Sequence, residues 1–442
     1  MLILAALVIA GAVYLMVRRV EVRLVLLGSG LVMFLLAGNP LALADTFTRG
    51  MVTSMVAPIC AAMGFAAVMS ATGCDKHLVH LLLAPIRRLR WLTLPGGILV
   101  AYLVNMAVPS QTSTAAALGP ILVPLLLASG HAPVVAGAAL ILGASYGGDL
   151  LNPGSQDVQA IAGVVHLSAP ALSARVIPAS IAGALVAAVV YAVFNRPNGA
   201  AESGQTADPQ ADTGLVHAPV EEPAEFRLDP LRALIPLVPV VLLLAAYGGF
   251  GPLGWLVRTP PGDDWKGLSN ALPVVRAMLI GTLMAILVAW REVQALTRSF
   301  FDGMGAAYAS IISLTITAQC FGAGIAAMGV ADALLNAARE SGSLTLLSAA
   351  FPWALAVLSG SGSGPVLTFA QTFLAHMDQA SDTVRLAAMT CFGGAFGRTM
   401  SPVAAVVVYT AGLVGVSPVL LIRQFLPALV AGAAVTFALA AS

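Results

Sequence analysis

Apolar stretches long enough to enter or cross a bilayer recur along the whole chain, at about 2–17, 24–43, 51–71, 92–108, 115–129, 132–147, 170–194, 231–250, 272–290, 303–328, 344–358, 364–377, 384–397 and 417–441. A helix of roughly 20 apolar residues spans about 30 Å of hydrocarbon. With 59% apolar residues against 21 basic and 20 acidic side chains in 442, a water-soluble fold would expose large hydrophobic patches. Lipid is therefore the solvent for most of the chain. Inside a bilayer every peptide group must find its partner within the protein, which for runs of this length means helices. The expected class is an all-α polytopic membrane protein of the bacterial inner (cell) membrane, with the lipid bilayer as a partner.

The net charge of +1 offers no footprint for nucleic acid. Cys60, Cys74, Cys320 and Cys391 lie singly in apolar runs and read as small core residues without disulfide or metal chemistry. Arg18, Arg19 and Arg23 follow the first apolar run instead of preceding it, the reverse of a cleavable signal, so residues 1–50 are expected to remain as N-terminal scaffold spans. Basic residues beside spans mark the cytoplasmic side. These three arginines, then Lys76, Arg87, Arg88 and Arg90, then Arg291 and Arg298, assign cytoplasmic loops, and counting spans between them leaves both termini periplasmic. Residues 195–230 are rich in Pro, Gly, Ala and acids and read as a flexible cytoplasmic linker, with connecting spans following at 231–298. Trp91, Trp255 and Trp290 read as interfacial anchors, His131 and His166 as helix-end residues, and Asp302 as an acid opening a helix.

The chain repeats itself. Sliding residues 148–184 onto 397–433 without a gap gives identity at 13 of 37 positions, among them Gly148/Gly397, Pro153/Pro402, Gly163/Gly412, Pro178/Pro427 and Gly183/Gly432. Upstream, the small polar clusters Pro109-Ser110-Gln111-Thr112-Ser113-Thr114 and Ser359-Gly360-Ser361-Gly362-Ser363-Gly364-Pro365 fall at corresponding places. Two repeats follow, at 51–194 and 299–442. The flanking basic residues send the opening helix of the first inward and that of the second outward, so the repeats are expected to have inverted topology. Parity also requires 92–130 and 344–378 each to enter and leave on one side, as re-entrant helical hairpins that turn at the polar clusters. The segments that follow, 132–165 and 384–414, combine breakers with polar side chains, at 147–157 and 393–402. Each is expected to be a broken transmembrane helix whose exposed backbone lines an enclosed cavity.

Two tips and two breaks thus converge on one polar site. Helix N-termini there offer free N–H groups and partial positive charge, and hydroxyls add donors, a set suited to carboxylates, with two tips for two carboxylates. Arg398 is the only arginine within either break. An intramembrane charge is costly enough to mark function, and a guanidinium can grip a carboxylate through two parallel bonds. The candidate substrate-binding residues are Ser110, Gln111, Thr112, Ser113, Asn152, Ser361, Gly362, Ser363, Arg398, Thr399 and Ser401. Asp149 and Asp157 are candidates to carry a coupling proton or to help bind sodium; no other cofactor is expected. The competing reading makes Arg398 and Asp149 a buried structural pair and leaves the polar side chains to satisfy broken backbone.

The segment Gly397-Arg398-Thr399-Met400-Ser401-Pro402-Val403, with Gly412 and Ser417-Pro418 behind it and the cluster Ser359 to Pro365 before it, resembles the anaerobic C4-dicarboxylate carriers of the C type, within the wider ion-transporter superfamily. The resemblance extends over most of 51–441. It implies an elevator-like secondary carrier, commonly a homodimer, that exchanges or exports succinate and takes up fumarate or malate with cations. Asp149 departs from an apolar position of that family, which keeps a carrier for another small carboxylate or an amino acid open. A sodium/proton antiporter centred on Asp149 and Asp157 is a further alternative. The sequence has no His-Glu-x-x-His, no nucleophile elbow with acid and base partners and no nucleotide-binding loop, so an enzyme is not expected and transport is expected to run on ion or solute gradients.

Overall fold

The computed structural model describes residues 2–18, 20–54, 56–86, 92–165, 169–196, 227–261, 271–329, 343–376 and 381–441. Most of the 195–230 linker, with Arg19, Arg87, Arg88, Arg90, Trp91 and His166, lies outside the described residues. Among the described residues the regular structure is helical throughout, as a lipid solvent requires. Seven helices are long and apolar enough to cross a membrane, or eight if one bent pair counts as a span.

The chain opens with α1 (Leu2–Val17) and α2 (Val22–Leu36), the latter capped by Glu21, whose carboxylate accepts from the Leu24 N–H at 2.9 Å. The run expected to continue to residue 43 is split after α2: Gly38 takes φ +77°, Pro40 follows, and an amphipathic α3 (Leu41–Met51) begins. It meets α4 (Val56–Thr72) at a 49° bend. Next come α5 (Cys74–Leu83), α6 (Thr93–Ala107), α7 (Gln111–Ala128), α8 (Pro133–Ser145), a 3-10 turn at Gly148–Leu151, α9 (Gln156–Val164) and α10 (Ala169–Phe194). Three short helices, α11 (Pro230–Leu234), α12 (Val238–Tyr247) and α13 (Gly254–Val257), lead to α14 (Ala271–Val288). Then α15 (Val293–Ala307) passes through a π-helical turn at Tyr308–Ile312 into α16 (Ser313–Ala327). Asp302 lies within α15 and does not open it; it is exposed, with its carboxylate 3.9 Å from Arg298 one turn earlier. The chain closes with α17 (Leu344–Ser359), α18 (Ser363–Thr372), α19 (Ser381–Thr399), α20 (Ala405–Val414) and α21 (Pro418–Ala441).

The series α6 to α10 recurs as α17 to α21. The second pieces of the two broken helices, α9 and α20, start at Gln156 and Ala405, and the helices after them at Ala169 and Pro418; both pairs keep the offset that aligns the sequences. Close packing recurs as well: Gly148 faces the Tyr102 carbonyl of α6, and Gly397 faces the Trp353 carbonyl of α17, with no room for a Cβ at either. This explains a difference at the second break. Its breakers start at Gly393, yet α19 runs unbroken to Thr399, and the non-helical stretch is Met400–Ala404 around Pro402. Gly393 and Gly397 serve close approach to the Ala349 and Trp353 carbonyls, and the backbone needs no other accommodation there.

The segment Pro133–Leu151 is the most enclosed of the candidate spans, 89% buried against 33% for α21, so the first broken helix sits at the centre and α21 toward lipid. Its Tyr146 packs on Phe396 of α19 at 5.0 Å between ring centres, joining the two broken helices. A separate apolar cluster, including Phe65, Met69, Leu243 and Met278, ties α4 to α12 and α14. Helices α10 and α21 cross where Gly183 meets its own repeat counterpart Gly432, each lying against the other's carbonyl. A side chain at 183 would also collide with Thr436 Oγ1 and the Tyr146 hydroxyl. Gly183→Val is expected to cost about 1–3 kcal/mol as overpacking and to lower the thermal midpoint in detergent. Gly412→Ala, with open space around it, should leave the midpoint unchanged in the same assay.

Candidate functional site

Both turns are built by short-range capping. Helix α6 stops at Ala107, Val108 is extended, and Ser110 caps α7 by accepting the Ser113 N–H at 3.3 Å and donating to Ser113 Oγ at 2.9 Å. The Val108 carbonyl accepts from Thr114 Oγ1 at 3.3 Å and from the Asn105 amide at 3.4 Å. The second turn uses Gly360 at φ +72° to end α17, and Ser359 Oγ accepts the Ser361 N–H at 3.3 Å.

Between the turns lies a cavity of about 170 Å³ lined by Gln111, Thr112, Gln156, Gly360, Ser361, Gly362, Ser363, Arg398, Ala404, Ala405 and Val406. Four helices begin on its wall: α7 at Gln111, α9 at Gln156, α18 at Ser363 and α20 at Ala405. The first turns of α9, α18 and α20 have no side-chain cap. Each such end carries roughly half a positive charge and uncommitted N–H groups. Gly362 lies against Arg398 Nη1 and the Gly394 carbonyl, each 3.1 Å from where a Cβ would sit, and Gln156 Nε2 donates to Ser363 Oγ at 3.3 Å, joining the first break to the second tip.

Arg398 reaches the cavity from the last turn of α19, and its side chain is 7% exposed. Its Nη2 lies 3.6 Å from Asp149 Oδ2 and its Nη1 3.7 Å from Asp157 Oδ2; both acids are 1% exposed. Asp149 Oδ2 also accepts from Gln111 Nε2 at 2.6 Å, and the Asp149 N–H donates to Asn105 Oδ1 at 2.9 Å. Asp157 sits in the first turn of α9, where the dipole favours an acid, but neither of its carboxylate oxygens is hydrogen-bonded within the protein. One guanidinium therefore faces two carboxylates, and helix ends supply the rest of the positive field.

Gln111, Thr112, Ser361, Gly362, Ser363 and Arg398 share the cavity wall. Ser110 and Ser113 are engaged in the cap behind it. Asn152 is fully buried, giving its amide to the Met106 carbonyl and accepting the Gly154 N–H, so it holds the break together. Thr399 Oγ1 is within reach of the Ala395 and Ser145 carbonyls at 2.8 and 2.7 Å and fastens the two broken helices to each other. Ser401 is buried off the wall, as are Asp149 and Asp157. Gln156 and Asn105 were not among the candidates. Gln156 stood in the first break, and Asn105 was a lone amide in an apolar arm one turn before the tip, a signal of the same kind. Among the described residues no group of three or more His, Cys, Asp or Glu gathers as a metal site. Oxygen donors that suit a monovalent cation are present singly, in the unpartnered Asp157 carboxylate, Asp149 Oδ1 and Ser155 Oγ.

A helical multi-pass fold with a polar cavity between helix ends suits a membrane transporter, and the family and relatives of this chain are transporters. The family model described as C4-dicarboxylate anaerobic carrier (DcuC) matches residues 45–441, and the chain belongs to that family. The anaerobic C4-dicarboxylate transporter DcuC of Escherichia coli is 25% identical over 82% of this chain and 75% of its own length. An uncharacterized transporter of Haemophilus influenzae is 39% identical over 136 residues, 30% of this chain and 94% of that relative. Among solved structures, the Alcanivorax borkumensis YdaH transporter superposes with a TM-score of 0.60 at 17% identity, covering 90% of this chain and 86% of its own. Neisseria gonorrhoeae MtrF gives 0.57 at 15% identity, covering 91% and 83%. The two solved structures show the fold, and the family match with the apolar helices supports a multi-pass protein of the bacterial inner membrane.

Arg398 should be structurally costly to remove, because two buried carboxylates lose their counter-ion. Arg398→Ala is expected to destabilise the protein by about 3–5 kcal/mol. Adding Asp157→Asn should recover part of that loss, with a non-additivity of about 1 kcal/mol or more in a double-mutant cycle. Thermal unfolding in detergent checks it; additive losses would show that the two groups do not interact.

Proposed function

We propose that this chain is a secondary carrier moving C4-dicarboxylates such as succinate, fumarate and malate across the inner membrane, by exchange or with a coupling cation, including succinate efflux. The observation that carries this reading is the convergence of four helix N-termini beside Arg398 on one cavity. One carboxylate is held by the N–H groups and hydroxyls at the tips, the other by Arg398. Family membership and the E. coli relative, named for C4-dicarboxylates, support the same substrate class.

Coupling follows from the acids. A substrate carboxylate competes with Asp149 and Asp157 for one guanidinium, and two carboxylates against one arginine leave an excess negative charge beside the dianion. A proton or sodium ion taken up at Asp157, whose oxygens are unpartnered, removes that excess and releases Arg398 to the substrate. Inverted repeats with re-entrant hairpins are supported by the contact of Gly183 with its counterpart Gly432, as a local two-fold relation produces, and by one arm of each hairpin, α6 with 15 residues and α18 with 10, being too short to span, while α7 with 18 is long enough to cross. The reading includes an elevator-like homodimer with periplasmic termini.

A second reading rests on that same surplus of acids: Asp149 or Asp157 pairs with an ammonium, and the substrate is an amino acid or another small carboxylate. A sodium/proton antiporter built on the two aspartates is the remaining alternative. The test is uptake of labelled succinate into proteoliposomes loaded with fumarate, under separate sodium and proton gradients, for native protein, Arg398→Ala and Asp157→Asn. Saturable exchange lost in Arg398→Ala is expected, with Asp157→Asn retaining exchange but losing the gradient dependence. A well-folded native protein that moves no dicarboxylate under any gradient overturns the substrate class and sends the search to amino acids and cation exchange.

A further inference from the structure

A second polar cleft lies away from the central cavity. It measures about 390 Å³ and is walled by α3, α16 and the end of α18, with Thr46, Arg49, Gln319 and Gln371 as its polar side chains. Among the described residues no acid lines it; Asp45, one turn before Arg49 on α3, is exposed and is not part of the lining. The Thr46 hydroxyl proton is committed to the Ala42 carbonyl at 2.7 Å, which leaves the guanidinium and two side-chain amides as the donors. Gly50 lets Gln319 Oε1 lie close against α3 beside Arg49, where a Cβ would come within 2.8 Å of that oxygen and the side chain would have to shift.

The repeat supplies a contrast. The offset that aligns the two repeats places Arg49 opposite Arg298, and both lie on amphipathic helices that lead into a long span, α3 and α15. Arg298 has Asp302 one turn later at 3.9 Å; the matching residue after Arg49 is Thr53. One copy is thus a neutralised surface pair, and the other keeps its charge facing a cleft. That cleft adjoins the transport path, because α18 carries Ser363 on the central cavity at one end and Gln371 on the cleft at the other, about 12 Å along the helix.

We propose that this cleft is a second, weaker anion site, in which Arg49 with Gln319 and Gln371 holds a small carboxylate at one aqueous mouth of the carrier. The inference rests on the carboxylate-carrier reading. A guanidinium flanked by carboxamides recognises a carboxylate by charge-assisted and neutral hydrogen bonds, and a partly solvated cation holds it loosely enough to release it. Its effect is to raise the local substrate concentration beside α18.

The test combines equilibrium binding of labelled succinate to the purified full chain in detergent with exchange in proteoliposomes at low and high salt. Native protein is expected to show two classes of site; Arg398→Ala loses the tight one and keeps the weak one. Arg49→Ala loses the weak one and raises KM for exchange about fivefold at low salt, with kcat changed less than about twofold and the salt dependence of KM abolished. Arg49→Lys keeps part of the effect. A single class of site in native protein, removed by Arg398→Ala and untouched by Arg49→Ala, overturns this inference and leaves the carrier reading standing. Absence of succinate binding in native protein sinks both. A cleft saturated by phosphatidylglycerol and indifferent to succinate belongs to lipid, and that result also overturns the proposal.

Discussion

A peptide group that leaves a helix inside a bilayer finds no water, and each break in this protein is arranged around that constraint. At the first break backbone bonds, from the Asn152 N–H to the Asp149 carbonyl at 3.1 Å and from the Ser155 N–H to the Asn152 carbonyl at 2.8 Å, are joined by amide side chains: Asn105 accepts the Asp149 N–H, Asn152 bridges Met106 and Gly154, and Gln159 donates to the Pro153 carbonyl at 2.7 Å. At the second the backbone repairs itself, with the Ser401 N–H donating to the Arg398 carbonyl at 3.1 Å and the Ala404 N–H to the Ser401 carbonyl at 3.2 Å. These repairs use up much of the polar inventory. What remains uncommitted are the first turns of α9, α18 and α20, and these open on the cavity. The site is the part of the broken backbone that the protein does not satisfy for itself.

Electrostatics then decides where the charged groups can sit. A lone guanidinium at this depth would cost several kcal/mol, and Asp149 and Asp157 offset that cost. Neither acid approaches Arg398 within ordinary hydrogen-bond distance, and its Nε and Nη2 make no hydrogen bond in the protein. The pair contacts hold the arginine in place by charge and leave its donors unsaturated. A ligand carboxylate able to make the bidentate contact gains hydrogen bonds that the internal acids do not make.

Much of this was legible in the sequence because it is local. Apolar length, the small polar clusters and the breakers each act within a few residues, and the repeat offset carries through to the starts of α20 and α21. The glycines were harder. Gly393 and Gly397 have the composition of a break, but their use is set by the carbonyls of Ala349 and Trp353 on another helix. Polar residues posed the same difficulty: Asn152 and Thr399 stand in the breaks beside Arg398, and which face they present, toward cavity or toward backbone, depends on Met106 and Ser145. The cleft at Arg49 joins segments some 270 and 320 residues apart in sequence, so no local signal announces it.

The two repeats share a backbone plan but not a charge pattern, and this restricts how the site can work. Arg398 corresponds to Asp149, and Asp157 to Val406, so the cation belongs to the second repeat and both acids to the first. The charge set is therefore not duplicated across the two repeats. The same charges instead join the repeats: Arg398 to Asp149 and Asp157, Gln156 to Ser363 and Thr399 to Ser145 all cross from one repeat to the other. Hairpin tips and broken helices are thereby bound into one body, while α4, α12 and α14 pack through an apolar cluster of their own. On the proposed elevator-like reading, movement of that polar body as a unit against the apolar one would keep the Arg398 contacts with Asp149 and Asp157 intact, whereas movement within it would separate them.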